Sequence, residues 1–209
     1  MARAIMDSFR AWRSSSDDLC YTDLCVDAIS SACAAGQLSM TELIRPYMDD
    51  YTFHAIIPKF TEIAAHHGHL EVIQWLLAQS RTSPHTPYLN EAFRRAAACG
   101  YSDIVAAFLD YGIWTDAEDK ISRNALCLAI QKGHVGVARL LVGRGLRVIN
   151  LREGDSMEMA FRNGHFKALE YLKGLFETGV VTFYRVGWEI PIENGADSFF
   201  DTIMKPCGP

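Results

Sequence analysis

The sequence predicts an all-α chain, a helical solenoid of about five helix–turn–helix repeats with a capping helix before it and a non-repeat tail after it. Three observations predict this. Five glycines, Gly36, Gly68, Gly100, Gly133 and Gly164, recur along the chain at spacings of 32, 32, 33 and 31. An alanine precedes each glycine by four positions: Ala32, Ala64, Ala96, Ala129 and Ala160. After each glycine, apolar residues fall at offsets of about 4, 5, 8 and 9, which is one face of a helix.

Residues 1–24 read as the N-terminal cap. Ile5, Phe9 and Trp12 lie at i, i+4 and i+7, a short amphipathic helix. Asp7, Asp17 and Asp18 weigh against a mitochondrial presequence, and the continuous apolar segment of a secretory signal is missing. The array occupies residues 25–174. The first helix of a unit carries Ile29, Phe93, Leu126 or Met157 seven positions before the glycine and closes on the small alanine. The glycine turns the chain through the left-handed region. The second helix then presents Val72, Ile73, Leu76 and Leu77, or Ile104, Val105, Phe108 and Leu109, or Val137, Ala138, Leu141 and Val142. Neither helix is long enough to be stable alone, so stacking must hold them.

Residues 175–209 leave the repeat pattern and form a tail. Phe183, Tyr184, Trp188, Phe199 and Phe200 make it too aromatic for a disordered segment, and Val180 to Val186 reads as a short strand. Two roles are open to it. It caps the last repeat, or it folds back across the binding groove and closes a pocket.

Composition narrows the function. A net charge of −5, with no Lys/Arg run, argues against a nucleic-acid partner, because non-specific nucleic-acid affinity needs a basic surface. No stretch approaches the roughly 20 apolar residues of a membrane span. The six cysteines form no Cys-x-x-Cys pair and sit at no metal-ligand spacing, so reduced thiols in the cytoplasm or nucleus are expected. Neither a metal nor a cofactor is called for, since Gly-rich phosphate loops and His-Glu-x-x-His motifs are absent.

From Ala64 to Leu77 the chain reads Ala-Ala-x-x-Gly-His-Leu-Glu-Val-Ile-x-x-Leu-Leu, which closely resembles the core of the ankyrin repeat. Gly133-His134-Val135 and Gly164-His165-Phe166 echo it, and Gly112 and Gly145 fall where that family ends its second helix. The Thr-Pro-Leu-His opening of the family is missing from every unit, so this is a divergent array. The resemblance implies that His69, His134 and His165 make hydrogen bonds between repeats. It also implies a groove lined by the last turn of each first helix.

Those groove positions hold His66 and His67, Ala98 and Cys99, Gln131 and Lys132, and Arg162 and Asn163, with Ala34 and Ala35 in the first unit. Arg94, Arg95 and Arg123 add positive charge, so an acidic ligand or peptide is expected. A second expected edge comes from the hairpins between repeats, where Ile56, Ile57, Tyr88, Leu89, Ile121 and Leu151 replace the Asp, Asn and Gly that exposed turns favour. The leading expectation is a protein-binding module with a protein partner on groove and fingers. A rival is a cofactor-independent isomerase, cyclase or dehydratase for a small-molecule ligand, in which Glu62 orients His66 and, with His67, supplies acid and base. A third is a homodimer through the apolar edge.

Overall fold

The computed structural model describes residues 18–80, 89–113, 120–145, 148–151, 159–179 and 181–183. The amphipathic segment with Ile5, Phe9 and Trp12 lies outside them, as do Tyr88 and the tail beyond Phe183. The chain divides into two compact units, Met1–Ala96 with Asp103–Ile113, and Ala97–Ser102 with Trp114–Pro209.

In the first unit, helix α1 (Asp18–Ala34) packs on α2 (Leu38–Ile44) and on α3 (Asp50–His67), and α3 packs on α4 (Leu70–Gln79). A short 3-10 turn over Arg45–Tyr47 joins α2 to α3. Helix α5 (Asn90–Cys99) and helix α6 (Ser102–Tyr111) follow, with Phe93 and Phe108 meeting edge-on at 6.1 Å. In the second unit, α7 (Lys120–Gln131) and α8 (Val135–Gly143) lead into strand β1 (Val148–Leu151). After helical residues 159–162, α9 (Phe166–Glu177) packs against α7, α8 and strand β2 (Val181–Phe183).

The expected stripe is the core. Val72, Ile73, Leu76 and Leu77 are buried, as are Ile104, Val105 and Phe108, Val137, Ala138 and Leu141, and Ala168, Leu169 and Leu172. All five repeat alanines are buried too. Each large side chain of this kind contributes roughly 1.5–3 kcal/mol on leaving water, enough for stacking to carry helices too short to persist alone. Seven positions before Gly68 the core holds Thr61, which is buried and donates its hydroxyl to the Ile57 carbonyl at 2.8 Å.

The glycines end the first helices as the repeat requires. Gly36, Gly68, Gly100, Gly133 and Gly164 all have φ between 67° and 83°. In four units the amide after the glycine donates to the carbonyl of the repeat alanine: Gln37 to Ala32, His69 to Ala64, His134 to Ala129 and His165 to Ala160, at 2.7–3.0 Å. This six-to-one bond satisfies a carbonyl that the helix end would leave open, and the left-handed residue it needs is glycine.

Two expectations about element limits are corrected. Residues 55–57 are not a hairpin finger but the middle of α3, and Ile57 is 1% exposed. Asp49 starts this helix early by accepting the Thr52 amide at 2.8 Å. That hydrogen bond holds the Asp49 carboxyl below its usual range. Phe53, Ile57, Phe60 and Ala64 then form a buried stripe that leaves no turn to make. At the N-terminal end, α1 runs without a break through the expected cap boundary at residue 24, and Cys25 and Ile29 are already core.

The short strand expected in the tail is present as β2. Its partner was not foreseen: β2 pairs in parallel with β1, Val148 against Val181 and Leu151 against Phe183. No helix of the described residues is long and apolar enough to cross a membrane.

Cys33 supplies a check on the core. Burial pushes its thiol up to about 11, against a hydrogen bond with Thr41 that lowers it. Because the thiolate is the nucleophile, alkylation at neutral pH should label half-exposed Cys99 well before Cys33, as read by mass spectrometry of the peptides over time. Equal rates would mean that the Cys33 site opens readily.

Candidate partner-binding face

The last turn of each first helix is where side chains reach solvent. In the first unit His66 and His67 are exposed at the end of α3, their rings 5.1 Å apart and edge-on. His67 also stacks on His69 at 6.2 Å, with ring planes 16° apart. His69 itself is held, because its Nε2 donates to the Ala34 carbonyl at 2.9 Å, at the end of α1. His134 repeats the arrangement in the second unit, donating to the Ala98 carbonyl at 3.0 Å.

These rings explain a second demand on the glycines. A Cβ at Gly36 would lie 2.4 Å from Nδ1 of His69, and one at Gly100 2.5 Å from Nδ1 of His134. At Gly133 it would meet Nδ1 of His165 at 2.6 Å. The glycine both turns the chain and seats the imidazole of the following repeat.

Glu62 is not the partner of His66. Its carboxylate is 2.8 Å from Nε of Arg95, on α5, and Arg95 is also 3.3 Å from Glu91. Arg94 pairs with the same Glu91 at 2.9 Å. The acid–base pair on one helix face is thus replaced by an ion-pair cluster linking α3 to α5, because the guanidinium is the stronger claimant for the carboxylate. Two of the three arginines expected to make the groove basic, Arg94 and Arg95, are thus paired with carboxylates. The other expected groove residues lie in the second unit. There Lys132, Arg162 and Asn163 are exposed and Gln131 and Cys99 half-exposed, while the side chain of Arg123, on α7, is outside the described residues.

Residues 61–152 match the family model for ankyrin repeats in three copies. They are ankyrin repeats. An ankyrin repeat and KH domain-containing protein of Caenorhabditis briggsae is similar to this chain, 31% identical over 112 residues, which is 51% of this chain but 4% of that protein. The family match covers the repeats of Gly68, Gly100 and Gly133. The structure gives Gly36 and Gly164 the same left-handed turn, buried alanine and six-to-one bond, so the ankyrin geometry extends to five units.

The apolar fingers expected of this array are only partly an edge. Ile57 and Leu89 are buried, Ile56 lies within α3, and Ile121 lies on α7. Leu151 belongs to β1. Among the described residues, an exposed apolar cluster that sequence reading missed is in the last repeat: Met159 and Phe161 at 38% and Phe166 at 49%, with Phe161 and Phe166 edge-on at 6.0 Å. The signal was there, because the other repeats carry Cys33, Ala65, Ala97 and Ile130 at the position of Phe161, three before the glycine. Among the described residues, no three His, Cys, Asp or Glu side chains are grouped to hold a metal ion.

Proposed function

We propose that this chain is a non-enzymatic protein-binding module that holds an acidic segment of its partner against the basic strip of its fourth and fifth repeats. Ankyrin repeats generally serve as protein-interaction modules, which supplies the class of function. The observation that carries the finer reading is the sign of the strip. Asp and Glu outnumber Lys and Arg in the chain by 25 to 20, yet none of the last-turn positions is acidic. Within the second unit, exposed Lys132 and Arg162 sit among Gln131, Asn163 and Cys99. An acidic segment gains there what a neutral one does not, chiefly in encounter rate and orientation, and this gain is screened by salt.

The test uses short fluorescent peptides rich in Asp and Glu, with neutral peptides as control, read by anisotropy at several salt concentrations. Binding of the acidic set should weaken as salt rises. Lys132→Glu combined with Arg162→Glu should reduce it at least about tenfold, the loss expected from two charge reversals at a partly exposed surface. Acidic-peptide affinity that survives the double reversal sinks the assignment of this strip.

A further inference from the structure

Three positions before the glycine, the first four repeats carry Cys33, Ala65, Ala97 and Ile130, each at most 1% exposed. The fifth carries Phe161, which is 38% exposed. The contrast recurs two positions after the glycine. Leu38, Leu70, Ser102 and Val135 are half-buried there, whereas Phe166, the first residue of α9, is 49% exposed. One exposed apolar residue is ordinary, but these two rings meet edge-on at 6.0 Å with Met159 exposed two positions before Phe161, and together they make a platform. A thioether beside two rings adapts its shape to whatever packs on it.

The charges around this platform have one sign. Arg162 stands beside Phe161 and Lys167 beside Phe166, both exposed, and residues 159–167 contain no carboxylate. Lys132 belongs to the same neighbourhood, because the His165 ring is seated against Gly133, the residue that follows this lysine. A basic rim around an apolar platform favours a partner that is acidic and apolar at once, and disfavours a cationic one. Phe161 and Arg162 are neighbours on one helical stretch, so an extended segment rising about 3.3 Å per residue reaches both within about three residues. An anionic bilayer offers the same two chemistries. It fits less well, because membrane-surface helices lay down a long apolar stripe, and the stripe of α9, Ala168, Leu169 and Leu172, is buried in the core.

Resting on the acidic-segment reading above, we propose that the partner's segment carries a large apolar side chain, aromatic or leucine, within about three residues of its acids. That side chain docks on Phe161, Phe166 and Met159 while the acids meet Lys132, Arg162 and Lys167. The platform selects among acidic segments, which the charges alone treat alike.

Fluorescence anisotropy of the full chain tests this with three sets of peptides: acidic, acidic with a nearby phenylalanine, and neutral with the same phenylalanine. The acidic set carrying phenylalanine should bind at least about tenfold more tightly than the plain acidic set, the gain from partly covering one ring. This ratio should hold as salt rises, since apolar contact is not screened. Phe161→Ala with Phe166→Ser should abolish the ratio and leave the affinity for plain acidic peptides within about twofold. The third repeat carries these same residues at the two positions, Ala97 and Ser102, so the fold should tolerate them, as circular dichroism checks. If the double variant does not fold, Phe166→Ser alone replaces it and should lower the ratio at least about threefold.

Plain acidic peptides that ignore Lys132→Glu with Arg162→Glu sink the strip, and this inference with it. Acidic peptides that need the strip but gain nothing from phenylalanine, or gain as much on the Phe161 and Phe166 variant, overturn this inference alone. So does binding to phosphatidylserine vesicles that the variant loses, which would give the platform to a membrane. A dimer in light scattering that the variant abolishes would give it to a second copy, and overturns the inference as well.

Discussion

Replacing Phe53 by alanine is expected to lower the stability of the first unit by about 3–5 kcal/mol, the range for deleting a fully buried aromatic ring. Phe53 is 0% exposed on α3 and packs against Phe60 and, edge-on, against Trp75 of α4 at 5.9 Å. Arg45 lies over the ring, its guanidinium carbon 4.1 Å from the centre. That guanidinium donates to the Met48 carbonyl at 3.1 Å and pairs with Asp50 beside the helix start. One ring therefore joins the 3-10 turn, the start of α3 and the face of α4. Phe53→Leu, which leaves most of the volume filled, should cost about half as much. Urea unfolding followed by tryptophan fluorescence and circular dichroism measures both; a loss below about 1 kcal/mol for the alanine variant would mean that the site collapses around the gap.

Gly100→Ala should cost about 2–4 kcal/mol, far above the usual glycine-to-alanine change, for two separable reasons. Its φ of +82° is costly for any residue with a Cβ, about 1–2 kcal/mol. The new methyl would also overlap the His134 ring, 2.5 Å from Nδ1. Moving that ring breaks its bond to the Ala98 carbonyl, worth about 0.5–1.5 kcal/mol. The two parts can be told apart. In a His134→Ala background the ring is gone, so Gly100→Ala should then cost only the backbone part. A double-mutant cycle by chemical denaturation should show this coupling, and strict additivity would refute the seating of the ring on the glycine.

The repeat was legible in the sequence because its markers are local. A glycine that turns, an alanine that must be small and a stripe at helical spacing each impose their own residue, and all five units kept the first two. The histidines were legible for the same reason, and His69 and His134 make the inter-repeat bonds that the ankyrin resemblance implied. What failed were readings that needed a neighbour in space. Glu62 shares a helix face with His66, but Arg95, one repeat further on, takes the carboxylate. Ile56 and Ile57 looked like an exposed turn because greasy residues there break the family habit. They are instead the sign that α3 has absorbed the turn, and Asp49 with the Phe53, Ile57, Phe60 stripe could have shown it. The β1–β2 pairing was invisible because neither strand is paired within its own stretch of sequence.

The bonds that tie one repeat to the next reach back by nearly constant amounts: a separation of 35 for His69 to Ala34 and 36 for His134 to Ala98, with the strand pair close to both. None of these links waits for a distant part of the polypeptide, so loop-closure entropy is a similar modest cost at every step. Folding can then keep pace with synthesis. Each unit finds the surface it docks on already outside the ribosome, and the newest turn of chain has only one predecessor to search. A chain interrupted between units would leave folded repeats behind it, with the last one still showing its apolar end.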